Sequence, residues 1–463
     1  MNNLEILKNK NKNYIPKFSI TNYQFSNKMQ IHMKSLTQKI LKILAGLILK
    51  KYRPEIIGIT GSVGKTGAKE AIYVVLNAKF NVRRSLKNYN NEIGVPLTII
   101  GAASPAKSIF GWMQVFFLAI KLLIKPDENY PKILILEMAA DKPGDMSYLT
   151  GMVKPNIGVL TSIGDSHIEN FGSQERIKQE KSVLIKTIDR QGWAVLNIDD
   201  QRIAPLVKEA KAKVLTYAID NQADFSGKEI RLVFVPSLSE KDKLGMNFKL
   251  LNNGSFAPVF LPNVISKAGV YAALAAAAVG VAKGLNLVEI SQALNKYSPP
   301  NGRMKLLLGV KGTYIIDDTY NASPAASILA IETLAVIPKK GGENKYAVLG
   351  DMLELGEFTK AKHQEVGRAV VKNKIDKLIV VGERSRDIAR GALNSGMSQD
   401  DIFHFAATDE AGKFIQERIK TGDLILVKGS QGARMEKVVK EIMAEPLRAK
   451  ELLVRQGEEW ENK

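Results

Sequence analysis

Strand and helix patterns alternate along most of this chain, and the alternation restricts the folds that it can adopt. Short β-branched runs at 55–60, 132–137, 157–161 and 193–197 are separated by stretches with helical spacing of apolar residues. Strands that alternate with helices favour a mostly parallel sheet with both faces covered. We also predict a strand-rich patch at 212–262 and a buried helix in the Ala-rich run at 271–283.

A turn signal then divides the chain. Pro299 and Pro300 cannot continue a helix, and the following Asn301-Gly302 step favours a turn. A second alternating series follows, with predicted strands at 313–317, 345–349, 377–381 and 423–427. We therefore predict an α/β protein with three parts, namely a short basic N-terminal segment (1–54), a central domain with a mostly parallel sheet (55–298) and a C-terminal Rossmann-like domain (299–463).

A phosphate-binding loop follows the first predicted strand. Its residues are Gly61, Ser62, Val63, Gly64, Lys65 and Thr66, and a helical pattern follows at 67–76. In such a loop, backbone N–H groups and the helix N-terminus bind phosphate, the lysine neutralises the β- and γ-phosphates, and the hydroxyl binds Mg²⁺. The strict pattern has glycine where this chain has Ile59, so a chance match is the alternative. The position between a strand and a helix favours a P-loop ATPase domain.

Composition excludes some kinds of site. The 463 residues, 45% of them hydrophobic, are enough for two or three cores. The chain has no cysteine, which excludes disulfides, thiolate metal sites and a cysteine nucleophile. The first residues lack the apolar core of a secretory signal, so we expect a cytoplasmic protein.

Positive charge is concentrated near the N-terminus. The net charge is +19, and residues 1–53 contain eleven Lys or Arg against one acid, Glu5. Such a segment attracts anions, which could be anionic lipid, a nucleotide-linked substrate or nucleic acid; a solvated tail is the alternative. Because no nucleic-acid reader motif accompanies the charge, we expect no nucleic-acid partner.

The most apolar segment lies at 109–124 and is shorter than the roughly 20 residues of a membrane-spanning helix. On a helix, Lys107, Gln114, Lys121 and Lys125 would form a polar stripe beside a broad apolar face. Burial of this face against the protein is the first interpretation. Contact with a membrane surface, beside the basic N-terminal segment, is the alternative.

Motifs over residues 55–445 resemble those of the Mur ligase family. They lie at 58–66, 90–98, 136–144, 161–167, 317–324, 348–357 and 427–430. The last three are similar to those of the member that adds D-alanyl-D-alanine. The resemblance implies an ATP-dependent amide ligase that joins D-alanyl-D-alanine to a UDP-muramoyl peptide, UDP-N-acetylmuramoyl-tripeptide, through an acyl phosphate in peptidoglycan precursor synthesis. It also implies a monomer.

The resemblance further implies roles for individual residues. The implied catalytic residues are Lys65, Asn91, His167 and Lys181. Implied ligands of one or two Mg²⁺ ions are Thr66, Glu137, His167 and Lys181, the last as a carbamylated lysine. Besides residues 61–66, Arg303 and Asp318 are expected to meet ATP when the domains close. The expected substrate residues are Asn90, Asn91, Asn321, Lys428 and Ser430.

Two departures from the family pattern leave alternatives open. The family's His-Asn-x-x-Asn motif corresponds here to Ala268-Gly-Val-Tyr-Ala272, so either adenine is held by other groups or the nucleotide preference is altered. The N-terminal region of about 54 residues is shorter than the usual UDP-binding domain, so either its basic residues recognise the UDP-sugar in another way or the substrate differs. A related ligase that uses another acceptor or carrier, such as a lipid-linked muramoyl peptide or a glutamate-type substrate, is one alternative. A nucleotide-binding protein without turnover is the other.

Overall fold

The computed structural model describes residues 17–86, 89–106, 108–164, 168–235, 243–339, 342–457 and 460, with side-chain surroundings from residue 35 onward except at 168, 169, 234, 235 and 243. Within these ranges the first sheet has nine strands: β1 Glu55–Thr60, β2 Val82–Arg84, β3 Ile133–Glu137, β4 Ile157–Leu160, β5 Trp193–Asn197, β6 Lys213–Ala218, β7 Phe225–Val235, β8 Lys243–Asn252 and β9 Ser255–Pro262. Their order in space is β2-β3-β1-β4-β5-β6-β7-β8-β9. Neighbours from β2 to β7 are parallel, and β8 and β9 extend the sheet antiparallel.

Helices cover both faces of this sheet. They are α1 Lys17–Tyr52, α2 Lys65–Asn77, α3 Gly94–Ile100, α4 Ile109–Ile124, α5 Asp145–Val153, α6 Ile168–Phe171, α7 Gln174–Lys186, α8 Leu206–Glu209, α9 Lys267–Ala282 and α10 Leu287–Leu294. Successive strand residues point to opposite faces. Ile57 and Ile59 of β1 therefore pack in one core with α2, α9 and α10, while Ile56 packs in the other with α1, α3, α4, α5 and α7.

A second sheet follows the Pro299-Pro300 turn. Its strands are β10 Lys305–Leu308, β11 Tyr314–Asp318, β12 Lys345–Gly350, β13 Lys377–Val381, β14 Ile402–Phe405 and β15 Leu424–Lys428, in the order β10-β11-β15-β12-β13-β14. Only the pairing of β10 with β11 is antiparallel among these described strands. The flanking helices are α11 Pro324–Val336, α12 Thr359–Lys372, α13 Arg386–Leu393, α14 Thr408–Arg418, α15 Glu436–Ile442 and α16 Ala449–Leu452. The predicted α/β fold is confirmed, and the predicted parallel strands agree to within about one residue at each end.

The Ala-rich run forms α9, which is buried as predicted. Residues 273–278 of this helix are fully inaccessible to solvent, and α9 packs against α2, the helix that follows the phosphate loop. Small side chains allow two helices to approach closely, which leaves little space for a larger side chain at these positions. The packing of α9 therefore fixes the position of α2.

The basic N-terminal segment contains a long helix that the sequence analysis did not predict. The last turns of α1 place Leu41, Ala45 and Ile48 in the core formed by α3, α4 and α5. The Tyr52 hydroxyl donates a hydrogen bond to the Leu122 carbonyl at 2.8 Å. Residues 35–52 thus pack on the central sheet's helical layer, and the divisions after residues 54 and 298 stay predictions.

The apolar segment at 109–124 is helical, but the prediction that its apolar face is buried is wrong for one side of the helix. Val115, Ala119 and Leu122 of α4 are buried, whereas six large apolar side chains on this helix are exposed. The buried residues recur at three- and four-residue intervals, which places them on one face of the helix. In the predicted polar stripe, Gln114, Lys121 and Lys125 are exposed, and Lys107 lies outside the described residues. The part of the chain that the structure describes contains no helix with both the length and the apolarity to span a bilayer.

We expect Ala276→Leu to destabilise the protein because the added atoms have no space between α9 and its neighbours. Overpacking of a close-packed core typically costs about 1–3 kcal/mol. Ala326→Leu, at an exposed position of α11, is the matched control and should change the unfolding midpoint little. Urea unfolding followed by circular dichroism measures both. Equal midpoints for the two variants would contradict the tight packing of α9.

Candidate active site

The predicted phosphate loop, the predicted metal ligand Glu137 and the loop after β4 meet at one edge of the central sheet. β1, β3 and β4 are adjacent and parallel, so their carboxyl ends lie side by side. The loop 61–64 follows β1, Glu137 is the last residue of β3, and Thr161 follows β4. In open α/β sheets this edge is where ligands bind.

The loop after β4 holds the phosphate loop in place. The Ser62 N–H donates to the Ser162 carbonyl at 2.8 Å, and the Val63 N–H donates to the Ser162 hydroxyl at 2.8 Å. Thr161 lies so close to Gly61 that a Cβ at residue 61 would be 2.1 Å from the Thr161 hydroxyl oxygen. Gly61 also has a φ of +149°, which L side chains rarely adopt. Only glycine therefore fits at residue 61.

The N-terminus of α2 faces the phosphate loop. Gly64 precedes α2 in the left-handed conformation, and no side chain caps the helix there. The first N–H groups of α2 and its positive dipole end are thus available to an anion. The Lys65 ammonium donates to the Gly61 carbonyl at 2.5 Å, which keeps its charge at the loop. Burial lowers the pKa of Lys65, Glu137 raises it, and the positive charge of Arg303 lowers it further.

The Glu137 carboxylate joins three elements. It accepts hydrogen bonds from the Thr66 hydroxyl at 3.1 Å and from the Asn90 side-chain amide at 3.2 Å. The Lys69 ammonium lies 3.6 Å from the carboxylate, and both side chains are buried. Sequence reasoning missed Lys69, although its position one helical turn after Lys65 places it on the same side of α2. The buried carboxylate therefore has a cation and two neutral donors around it.

Asn91 follows Asn90, but its side-chain oxygen is directed towards the first turn of α3. Its side-chain oxygen accepts hydrogen bonds from the N–H groups of Gly94 and Ile93 at 2.9 and 3.2 Å, at the start of α3. This arrangement satisfies helix N–H groups that have no partner within the helix. The side-chain amide of Asn91 remains as the group that can donate to a ligand.

Lys181 lies on α7 and is almost completely buried. Burial lowers the pKa of its ammonium to about 8, and the positive charge of Lys65 contributes to the decrease. Glu180, the preceding residue, accepts hydrogen bonds from the N–H groups of Met146 and Gly144, which ties α7 to the loop after β3. Lys181 is therefore within electrostatic range of the phosphate loop.

His167, predicted as a catalytic and metal-binding residue, lies outside the described residues. Among the residues that are described, no three His, Cys, Asp or Glu side chains form a cluster suited to a metal ion. The predicted ligands that the structure brings into contact are Thr66 and Glu137.

The predicted substrate residues of the C-terminal domain lie together at the ends of two neighbouring strands. Asp318 of β11 is paired in register with Lys428 of β15. The Lys428 ammonium donates to the Asp318 carboxylate at 2.6 Å and to the Asn321 carbonyl at 2.9 Å. The Ser430 hydroxyl accepts a hydrogen bond from the Leu353 N–H at 2.9 Å. Lys428 and Ser430 are buried, whereas Asn321 is exposed.

Two aspartates fix the backbone on each side of Arg303. The Gly302 N–H donates to Asp317 and the Met304 N–H donates to Asp318, both at 3.1 Å. The Arg303 guanidinium lies 3.9 Å from the centre of the Tyr320 ring, and the side chain is exposed. Burial raises the pKa of Asp317 to about 6 despite hydrogen bonds from Thr319. Arg303 thus extends from a turn that the two aspartates hold in place. Its positive charge interacts electrostatically with Lys65.

A cavity of about 530 Å³ opens beside the phosphate loop. Its lining includes Ser162, Asn197, Asp199 and Tyr271. The Tyr271 hydroxyl donates to the Asp199 carboxylate at 2.8 Å. Burial opposes ionisation of Asp199, but hydrogen bonds from backbone N–H groups and Tyr271 outweigh it and lower the pKa. Tyr271 belongs to the segment 268–272 that departs from the family motif, and sequence reasoning assigned it no role.

Comparison with known proteins identifies the family. Residues 118–280 match the Mur ligase middle domain, and residues 302–431 match the domain described as Mur ligase, glutamate ligase domain. The UDP-N-acetylmuramoyl-tripeptide--D-alanyl-D-alanine ligase of Bacillus subtilis (strain 168) is 30% identical over 89% of this chain and 80% of its own length. The protein of the same name from Mycobacterium tuberculosis (strain H37Rv) is 31% identical over 84% of this chain and 73% of its own length.

A solved structure supports the same assignment. The MurF ligase from Thermotoga maritima, determined in complex with ADP, superposes with a TM-score of 0.69 and is 27% identical, covering 87% of this chain and 83% of its own. This chain belongs to the Mur ligase family.

Proposed function

We propose that this protein is the ATP-dependent ligase that adds D-alanyl-D-alanine to UDP-N-acetylmuramoyl-tripeptide in peptidoglycan precursor synthesis. The observation that carries the proposal is the hydrogen bond between Thr66 of the phosphate loop and Glu137, which combines a phosphate site with a buried carboxylate. The substrates follow from relatives of that name, which are 30–31% identical over most of both chains.

Bound Mg²⁺ fits the side chains present. Thr66 and Glu137 offer the hard oxygen ligands that Mg²⁺ prefers, and they lie beside the loop proposed to bind phosphate. His167 and carbamylated Lys181 are proposed to complete the ligands for one or two ions. When bound, Mg²⁺ would neutralise charge on the phosphates of ATP.

The chain's cations are proposed to hold the anions of the reaction together. The γ-phosphoryl group of ATP passes to the terminal carboxylate of the tripeptide, which forms an acyl phosphate and ADP. The amino group of D-alanyl-D-alanine then attacks the acyl carbon, the amide bond forms, and phosphate leaves as the amine loses a proton. Lys65 and Arg303 stabilise the negative charge of the transferred group, while Asn90 and Asn91 orient the carboxylate substrate.

The C-terminal cluster is proposed to position the acceptor. Lys428 and Ser430 lie at the carboxyl edge of the second sheet, with Asn321 exposed next to them. Asp318, on the same edge, and Arg303 would meet ATP when the two sheets' edges approach each other. Such closure protects an acyl phosphate from water until the amine attacks.

The nucleoside of ATP is proposed to occupy the cavity beside Ser162. Tyr271 presents an aromatic ring at this position, in a chain that lacks the family's two asparagines. An aromatic side chain can stack on any nucleobase, because every base has a π-face.

We further propose that the protein is cytoplasmic, where ATP is available, that it is a monomer, and that it makes peripheral contact with a membrane.

Lys65→Ala should slow product formation strongly because the phosphates lose their principal cation. The assay measures ADP release and product mass with ATP, Mg²⁺, UDP-N-acetylmuramoyl-tripeptide and D-alanyl-D-alanine. Loss of a transition-state cation costs about 10²–10³ in rate. Lys79→Ala, which changes an exposed lysine just after the C-terminal end of α2, is the control and should keep activity. A wild-type protein that binds ATP but forms no pentapeptide product would refute the proposed substrates.

Carbamylation of Lys181 predicts a dependence on dissolved carbon dioxide. Carbon dioxide reacts with the neutral amine, and a pKa of about 8 leaves much more neutral amine at neutral pH than an ordinary lysine has. Activity should fall in carbon-dioxide-depleted buffer and return with bicarbonate, and the requirement should be greatest below pH 8, where the amine is protonated. Lys181→Ala should be inactive under both conditions. Lys186→Ala, more exposed on the same helix, is the control. Activity independent of carbon dioxide at pH 7 would contradict the modification.

A further inference from the structure

The α4 helix carries a second apolar face that the fold leaves uncovered among the described residues. Its exposed members are Ile109, Phe110, Met113, Phe117, Ile120 and Ile124, which are 46–78% exposed. Five of them recur at intervals of three or four residues, so they lie on one side of the helix, and Phe110 lies beside them. Val115, Ala119 and Leu122, which are buried, lie on the opposite side. We call the six exposed residues the α4 outer face.

The neighbouring helix α1 repeats this arrangement. Leu36, Ile43 and Leu47 are 47–62% exposed and lie on one side of α1, opposite its buried residues. The C-terminal ends of the two helices are joined, because the Lys51 ammonium donates to the Leu122 and Leu123 carbonyls, each at 2.8 Å. The two exposed apolar strips therefore belong to adjacent elements on the same helical layer.

Lysines border these strips. The exposed lysines are Lys39, Lys42, Lys50 and Lys51 on α1 and Lys121 and Lys125 at the end of α4. Four acids lie near these helices: Asp127 and Glu128 follow α4, Glu55 follows α1, and Glu92 accepts a hydrogen bond from the Gln38 side chain of α1 at 2.8 Å. Residues 1–53 as a whole contain eleven Lys or Arg against one acid. The region is thus apolar at its centre and positive around it, which is the composition of a helix that lies in the interface of an anionic membrane.

We propose that the α4 outer face docks on an anionic lipid surface, with its phenylalanines in the interface and the surrounding lysines among the headgroups. This inference specifies the peripheral membrane contact of the proposed function and does not depend on the ligase reaction. Docking of the α4 outer face on the same face of a second copy would bring two groups of lysines together, and this repulsion disfavours a dimer. The 16-residue length of α4 suits a helix lying on the surface rather than crossing it.

Vesicle co-sedimentation of the full chain tests this docking. The wild type should bind vesicles made from equal parts of phosphatidylcholine and phosphatidylglycerol and should bind pure phosphatidylcholine weakly. Added salt should weaken the binding because it screens the lysines. Phe110→Ser combined with Phe117→Ser should reduce binding by about tenfold or more, since two rings no longer enter the interface. Lys121→Gln combined with Lys125→Gln should reduce binding to the anionic vesicles only.

A matched control separates this face from general hydrophobicity. Leu329→Ser combined with Val336→Ser removes two similarly exposed apolar side chains from α11 and should leave vesicle binding unchanged. ADP binding and thermal unfolding of all variants verify that they fold. The proposal is overturned if the wild type does not bind anionic vesicles, or if the phenylalanine variant binds as well as the wild type. It is also overturned if gel filtration shows a dimer that only the phenylalanine variant loses and no vesicle binding occurs, because the partner is then a second copy.

Discussion

The candidate site depends on one buried carboxylate, Glu137. Burial of an ionised group is costly unless cations and hydrogen-bond donors surround it. Thr66, Asn90 and Lys69 supply those partners, and they come from the phosphate loop, the segment before α3 and the helix α2. Because these three side chains all contact Glu137 at the end of β3, the carboxylate fixes the position of the phosphate loop at the carboxyl edge of the sheet.

Positive charge also accumulates beside the phosphate loop. Lys65, Lys181 and Arg303 interact electrostatically, and the pKa values of both lysines are lowered as a result of burial and this repulsion. Cations placed close together in this way are stabilised when an anion binds between them. A protein that transfers a phosphoryl group to a carboxylate needs this arrangement, since both reactants are anions.

Much of the fold could be predicted from sequence because strand and helix periods are local signals. β1, β13 and the phosphate loop were predicted with little error, since β-branched residues, glycine and the Lys-Thr pair act over a few positions. The partners of Glu137 were harder to predict. Lys69 lies 68 positions before Glu137 in the chain and reaches it only because β1 and β3 are neighbours. The exposed apolar side of α4 could not be distinguished from its buried side in the sequence. The spacing of apolar residues shows where they lie around a helix, but not which of them pack against the rest of the protein.

The binding of Mn²⁺, as a substitute for Mg²⁺, in the presence of ADP tests the role of Glu137 and can be measured by electron paramagnetic resonance. If Glu137 holds the ion beside the phosphate loop, Glu137→Gln should weaken Mn²⁺ binding by about tenfold or more, because the ion loses a charged ligand. Glu70→Gln, which removes the other carboxylate paired with Lys69, should leave Mn²⁺ affinity nearly unchanged. Equal Mn²⁺ affinities for Glu137→Gln and the wild type would contradict the central role of this carboxylate.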